Sequence, residues 1–161
     1  MTQPRKTIGL LFGGRSAEHE VSKLSAANVL RALNPERYDI VLIGIGRDGR
    51  WLLCDSGNGA GRGLQSLEIP EGAPQVALLP GGDGEMIVLN GEGSRSSLRL
   101  DAVVPVLHGP NGEDGTVQGF LQLANVPYVG SGVLGSATGM DKDVAKRLLR
   151  DSGIPIVPFL T

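Results

Sequence analysis

The sequence predicts an α/β fold built on a mostly parallel sheet, and three observations carry that prediction. Buried-strand and helical patterns alternate along the chain. Polar, glycine-rich turns follow directly on the carboxyl ends of two of the apolar runs, at Gly13 and at His108. No stretch is long and apolar enough to span a bilayer.

Each element has its own reason. Thr7 to Phe12 is a short apolar run bounded by glycines, the pattern of a buried strand. Val21 to Leu33 follows as a helix, with Val21, Leu24, Ser25, Val29 and Ala32 near one face, closing before Asn34-Pro35. Tyr38 to Ile45 is a second buried strand, and the turn signal Arg47-Asp48-Gly49-Arg50 before Trp51-Leu52-Leu53 predicts that it folds back as a hairpin. Asp55 to Ser97 is rich in glycine and serine, with Val76 to Leu79 and Met86 to Leu89 forming a small hairpin around PGGDGE. Asp101 to Leu107 is the next buried strand, Thr116 to Ala124 a helix, Pro127 to Val129 a short strand, and Val133 to Thr138 a helical turn or two. In the tail, Asp141 is placed to cap a helix that carries Val144, Leu148 and Leu149 on one face, pairs Asp143 with Arg147 and stops at Gly153. Ile154 to Leu160 then reads as an incoming strand. Neither has partner elements within the sequence, so residues 139–161 are expected to open a second domain that continues past Thr161, with residues 1–138 forming the first.

Composition narrows the partners. The 161 residues carry a formal net charge of -2 with no basic run, which disfavours nucleic acid or an anionic membrane surface. The single cysteine, Cys54, makes no internal disulfide and no cysteine-based zinc site. The apolar run near the N-terminus is too short for a signal peptide, so the cytoplasm is the expected location.

Few motifs carry chemistry. GIGRDG, Gly44 to Gly49, has the letters of a dinucleotide fingerprint, but its mechanism needs a helix to follow, and RWLLCDSG reads as a strand. His19-Glu20 begins like a zinc-protease motif, yet Lys23 stands where the second ligand belongs. GLLFGGRSAEHEVS survives these tests: Gly13 and Gly14 end the first strand where open α/β sheets hold ligands, with backbone amides for an anion and Glu18 for a cation. A ligand of both signs, such as an amino acid, suits such a place. A plainer reading fits the same letters, with Ser16 capping the helix and Glu18 and Glu20 complementing its positive end. His108 ends another buried strand before the loop GPNGEDGT, where Glu113 and Asp114 also read as ordinary helix-start acids. Lys142 and Lys146 share a helical stripe whose default is a solvated face.

Taken together, LFGGRSAEHEVS, IGIGRDGRW, HGPNGEDGTVQGFLQLANVPYVGSG and MDKDVAKRLLRDSGIPIVPF resemble the amino-terminal part of the D-alanine–D-alanine ligase family, ATP-grasp enzymes of peptidoglycan synthesis. The resemblance runs from about Thr7 to the last residue. It implies a Rossmann-like, pre-ATP-grasp domain followed by the start of an ATP-grasp central domain. It also implies ATP-dependent joining of two D-alanines through an acyl phosphate, with ATP and magnesium as cofactors, the magnesium ligands lying past Thr161.

At matching positions, the resemblance makes Glu18 the catalytic and substrate-binding carboxylate that orients the first ammonium group. Val21 would line the methyl pocket and His108 would be the pocket histidine of the HG motif. Ser22 is read as structural support, and Lys142 as the nucleotide-binding lysine that reaches the phosphates. The expected partners are D-alanine and ATP, with a homodimer as the assembly and neither nucleic acid nor membrane. The alternatives are a non-catalytic small-molecule-binding or dimerisation domain on the same scaffold, and a nucleotide-dependent oxidoreductase using GIGRDG.

Overall fold

The computed structural model describes residues 4–55, 63–90 and 94–160. Its strands are β1 (Lys6–Gly13), β2 (Tyr38–Ile45), β3 (Trp51–Asp55), β4 (Gln75–Leu78), β5 (Glu85–Leu89), β6 (Arg95–Arg99) and β7 (Ala102–Pro105). Its helices are α1 (His19–Ala32), α2 (Thr116–Leu123), α3 (Val133–Met140) and α4 (Lys142–Asp151). One seven-stranded sheet runs in the order β6-β5-β4-β3-β2-β1-β7. β1 pairs in parallel with β2 on one side and β7 on the other. From β2 to β6 every pairing is antiparallel, so the hairpin expected around PGGDGE is built into the main sheet as a wing.

Alternation along the central strands makes two cores. Ile8, Leu10 and Phe12 of β1 join Ile40 and Leu42 of β2 beneath Ala26, Ala27 and Leu30 of α1. Leu11, Val41, Ile43 and Ile45 face the other way and meet Val117 and Leu121 of α2. Strands buried on both faces read as continuous apolar runs, which is why β1 and β2 stand out in the sequence. β6, RSSLR, has only Leu98 partly buried and carries no such signal.

The structure corrects three local expectations. α1 turns a different face to the sheet: Ser22, Lys23, Ala26, Ala27 and Leu30 are buried, whereas Val21 and Leu24 are 49% and 48% exposed. Small side chains let the helix approach the sheet closely. Lys23 joins that face because its ammonium emerges to pair with Glu68 at 2.7 Å and Glu20 at 3.0 Å. Burial opposes the charge on Lys23, but these hydrogen bonds outweigh it and raise its pKa. Second, Pro127 to Val129 reduces to a single parallel bridge, Val103 to Tyr128. Third, Ile154 to Leu160 forms no strand: Pro155 and Pro158 lack donors, and no strand among the described residues lies alongside. As expected, a strand follows Gly49. Gly46 N–H donates to Arg50 O, Gly49 N–H to Gly46 O, and Trp51 pairs antiparallel with Ile45. With no helix N-terminus there to hold a pyrophosphate, the dinucleotide reading falls. Parts of the expected Asp55 to Ser97 loops, 56–62 and 91–93, lie outside the described residues.

The tail helix is as expected. Asp141 accepts from the Asp143 and Val144 amides, Asp143 pairs with Arg147 at 2.8 Å, and Gly153 ends the helix at φ +74°. No helix among the described residues is long and apolar enough to cross a membrane.

The β1–β7 register is pinned at its entrance by Asp101. Its carboxylate accepts from Thr7 N at 2.8 Å and pairs with Lys6 Nζ at 3.0 Å, while Asp101 N–H returns a bond to Thr7 O. The Thr7 amide first and the Lys6 ammonium second hold the Asp101 pKa below the usual carboxylate value. A lowered folded-state pKa adds stability above the unfolded value of about 3.9 and loses it as pH falls through the folded one. Asp101→Asn is therefore expected to be less stable than the parent at pH 7, with the difference closing below about pH 4. Urea melts across that range check it.

Candidate active site

β1, β2 and β7 end at the same edge of the sheet, and the polar motifs gather there. Gly13 and Gly14 turn the chain out of β1 with φ of +89° and +99°, and a Cβ at Gly13 would lie 2.5 Å from Ile45 O. Only glycine fits that approach. The turn is closed internally: Gly14 N–H donates to Ile45 O at 2.8 Å, Gly13 N–H donates to Ser22 Oγ at 2.7 Å, and the buried His19 ring meets Gly14 O through Nδ1 at 2.7 Å. The expectation that these glycine amides are open to an anion is thereby corrected. Ser22 Oγ in turn donates to Val106 O, just past β7, so one buried hydroxyl ties α1 to both neighbouring strand ends.

Glu18 sits at the head of α1 without capping it; its side chain takes no cap bond, and Ser16 Oγ instead accepts the Glu18 amide at 3.2 Å. The Glu18 carboxylate lies against the turn after His108. A Cβ built on Gly109 would be 3.2 Å from Glu18 Oε2 and 3.1 Å from Ser16 Cβ. That turn is held from below by Glu113, whose Oε2 accepts the Gly109 amide at 2.6 Å, and by Gln118, whose Nε2 donates to Gly112 O at 2.9 Å. Asp114 has the plain role, accepting from the Asn111 and Thr116 amides. The His108 ring is half-buried, its Nε2 3.3 Å from Ser25 Oγ on α1.

Gly13, Gly14 and His108 border a cleft of about 420 Å³ whose apolar wall includes Ile45, Leu107 and Val117. Trp51 and Phe120 close its far side, packed edge to face with ring centroids 5.4 Å apart. The structure thus brings Glu18 and His108 to one place, with Val21 exposed on the first turn of α1. Lys142 stands apart at the head of α4, on a second cavity of about 330 Å³ that it shares with Glu113, Gln118, Ser131 and Ser136. Among the described residues, no three His, Cys, Asp or Glu side chains cluster to hold a metal ion. Sequence reasoning missed the work of His19, Ser25 and Glu113. A usable signal lay in Ser22 and Ser25, hydroxyls spaced one helical turn apart on a helix that had to pack against a sheet.

The family described as "D-ala D-ala ligase N-terminus" matches residues 7–131. The chain belongs to the D-alanine–D-alanine ligase family. It is 61% identical to D-alanine–D-alanine ligase B of Bradyrhizobium diazoefficiens over 163 residues, covering all of this chain and 43% of that protein. Among solved structures it resembles the D-alanine-D-alanine ligase from Coxiella burnetii, with a TM-score of 0.83 and 35% identity over 96% of this chain and 43% of that one. The VanG D-Ala:D-Ser ligase from Enterococcus faecalis is similar at a TM-score of 0.79 and 36% identity, over 95% of this chain and 43% of that one. The part of the ligase family represented here is therefore the amino-terminal part, spanning less than half the length of these relatives.

Ser22 gives the site its most direct stability test. Ser22→Ala leaves the Gly13 amide and the Val106 carbonyl without their shared partner in the core. Each unsatisfied buried group costs about 1–3 kcal/mol. Urea unfolding of the chain is expected to show a loss of at least about 2 kcal/mol, with the slope of the transition unchanged.

Proposed function

We propose that this chain forms the first amino-acid-binding wall of an ATP-dependent ligase that joins two D-alanines for peptidoglycan synthesis. The observation that carries the reading is the closure of the Glu18 carboxylate on the His108–Gly109 turn, at the carboxyl edge of the parallel strands. An amino acid presents an ammonium and a carboxylate a few ångströms apart. Glu18 supplies the counter-charge for the ammonium, His108 lies beside the carboxyl end, and Val21 borders the methyl group. Family membership and the 61% identity to a ligase support the same assignment.

Bound ATP would supply the phosphoryl group that turns the first carboxylate into an acyl phosphate, whose phosphate leaves as the second D-alanine's amine attacks the carbonyl. Lys142 fits the phosphates, since it opens an Asp141-capped helix and lines a polar cavity. Magnesium finds no set of ligands among the described residues, so no residue of this chain is assigned to it. Residues 1–138 form the substrate domain in this reading, and 139–161 begin the ATP-grasp central domain. The exposed apolar side chains of α4, Val144, Leu148 and Leu149, agree with that division. The enzyme would work in the cytoplasm as a homodimer.

The test separates a charge partner from a helix-end acid. In the complete ligase carrying this chain, Glu18→Gln keeps size and hydrogen bonding but removes the charge facing the ammonium. Loss of one partner of a desolvated charge pair costs about 2–5 kcal/mol, against some tenths for a helix-dipole role. Dipeptide formation is expected to fall by roughly two orders of magnitude or more, with the KM for the first D-alanine affected most and Tm unchanged. Activity within a few-fold of the parent together with a lowered Tm would make Glu18 structural.

A further inference from the structure

We propose that Ser25 is a positioning residue for His108: its hydroxyl donates to Nε2 and holds the neutral ring in the tautomer that carries its proton on Nδ1. The inference rests on the reading of His108 as part of the amino-acid site and extends it to the state of the ring. Val106 and His108 are alternate residues of the chain leaving β7, and both meet α1. Val106 O takes the Ser22 hydroxyl and His108 Nε2 meets Ser25 Oγ at 3.3 Å. Ser22 fixes the helix against the strand end, so the Ser25 hydroxyl one turn on is delivered to the ring by a rigid element rather than a loop.

The direction of the bond follows from hydrogen-bond capacity. A serine inside a helix commonly gives its proton to the carbonyl four residues back, as Thr138 does to Leu134 O at 2.8 Å. Ser25 makes no such bond, and His108 Nε2 is its one side-chain partner among the described residues. If Nε2 carried a proton and donated to Ser25, the serine's own proton would have no observed acceptor among the described residues. If Ser25 donates, both atoms are satisfied and Nδ1–H remains as a free donor. That donor is what a bound carboxylate needs, and a neutral ring supplies it without a second positive charge next to the ammonium.

Two-bond ¹⁵N–¹H correlation spectra of the uniformly labelled chain, recorded where the imidazole is neutral, read the ring directly. The expected result is a dominant Nδ1–H form for His108 in the parent. Ser25→Thr retains it, and Ser25→Ala makes it the minor form as the ring reverts to the Nε2–H tautomer that free imidazole side chains favour. A parent ring protonated on Nε2, or a tautomer indifferent to Ser25→Ala, overturns the proposal; the parent spectrum decides even if the alanine variant fails to fold. Titration with D-alanine is the separate check on the site itself. Shifts at His108 and Gly109 are expected, and their absence beside a correct tautomer would reject the amino-acid site while leaving the hold of Ser25 on the ring in place.

Discussion

The Ser22 hydroxyl sets the geometry of the whole edge. It accepts from Gly13, the last residue of β1, and donates to Val106, just past β7, from inside the face that α1 buries. A single side chain therefore fixes three things: how far β1 and β7 run before they turn, how closely α1 approaches them, and where Glu18, one turn earlier, comes to rest. An alanine of similar size would fill the space and leave two core groups unpaired, so the interaction is as much a matter of polar satisfaction as of packing. The His19 ring closes the same turn from the other side by meeting Gly14 O. The glycine turn is consequently a closed, hydrogen-bonded corner whose job is to aim the next residues.

The division of labour across the sheet follows from its two kinds of pairing. The parallel strands β2, β1 and β7 are covered on both faces and present their carboxyl ends together, which is where open α/β sheets offer space for ligands. The antiparallel wing from β3 to β6 contributes bulk and, through Trp51, one wall of the cleft. Charged groups are arranged accordingly. Glu113 and Asp114 spend their carboxylates on backbone amides of the loop after His108, while Glu18 makes no cap bond and lies against Gly109 of that loop.

Long apolar runs made β1 and β2 legible in the sequence, and hydrogen-bonding residue types made the turn at Gly49 and the cap at Asp141 legible. The buried face of α1 was not, because hydrophobic periodicity favours Val21 and Leu24, whereas the sheet required the small residues Ser22, Ala26 and Ala27 for close approach. β6 escaped notice since RSSLR is a strand by virtue of its pairing with β5 rather than its own composition. Ile154 to Leu160 misled in the opposite sense: strand-like letters form no strand without a neighbour to pair with. Within the site, Glu18 and His108 were visible as polar residues at strand ends. Ser25 and Glu113 were not, since their meaning lies in partners that only the fold supplies, 83 residues away for Ser25.

The distances in sequence also order the assembly of the molecule. The wing is made of strands close in the chain, and such pairings close small loops at little entropic cost. The edge that carries Glu18 and His108 is held by contacts spanning 94 residues at Asp101, 84 at Ser22 and 83 at Ser25. Contacts of that span form late and slow the folding of the whole domain. A newly made chain must therefore complete β7 and dock it beside β1 before the Ser22 hydroxyl has its second partner, Val106 O. Until then β1 presents an unpaired parallel edge, and the Glu18 carboxylate has no His108–Gly109 turn to lie against.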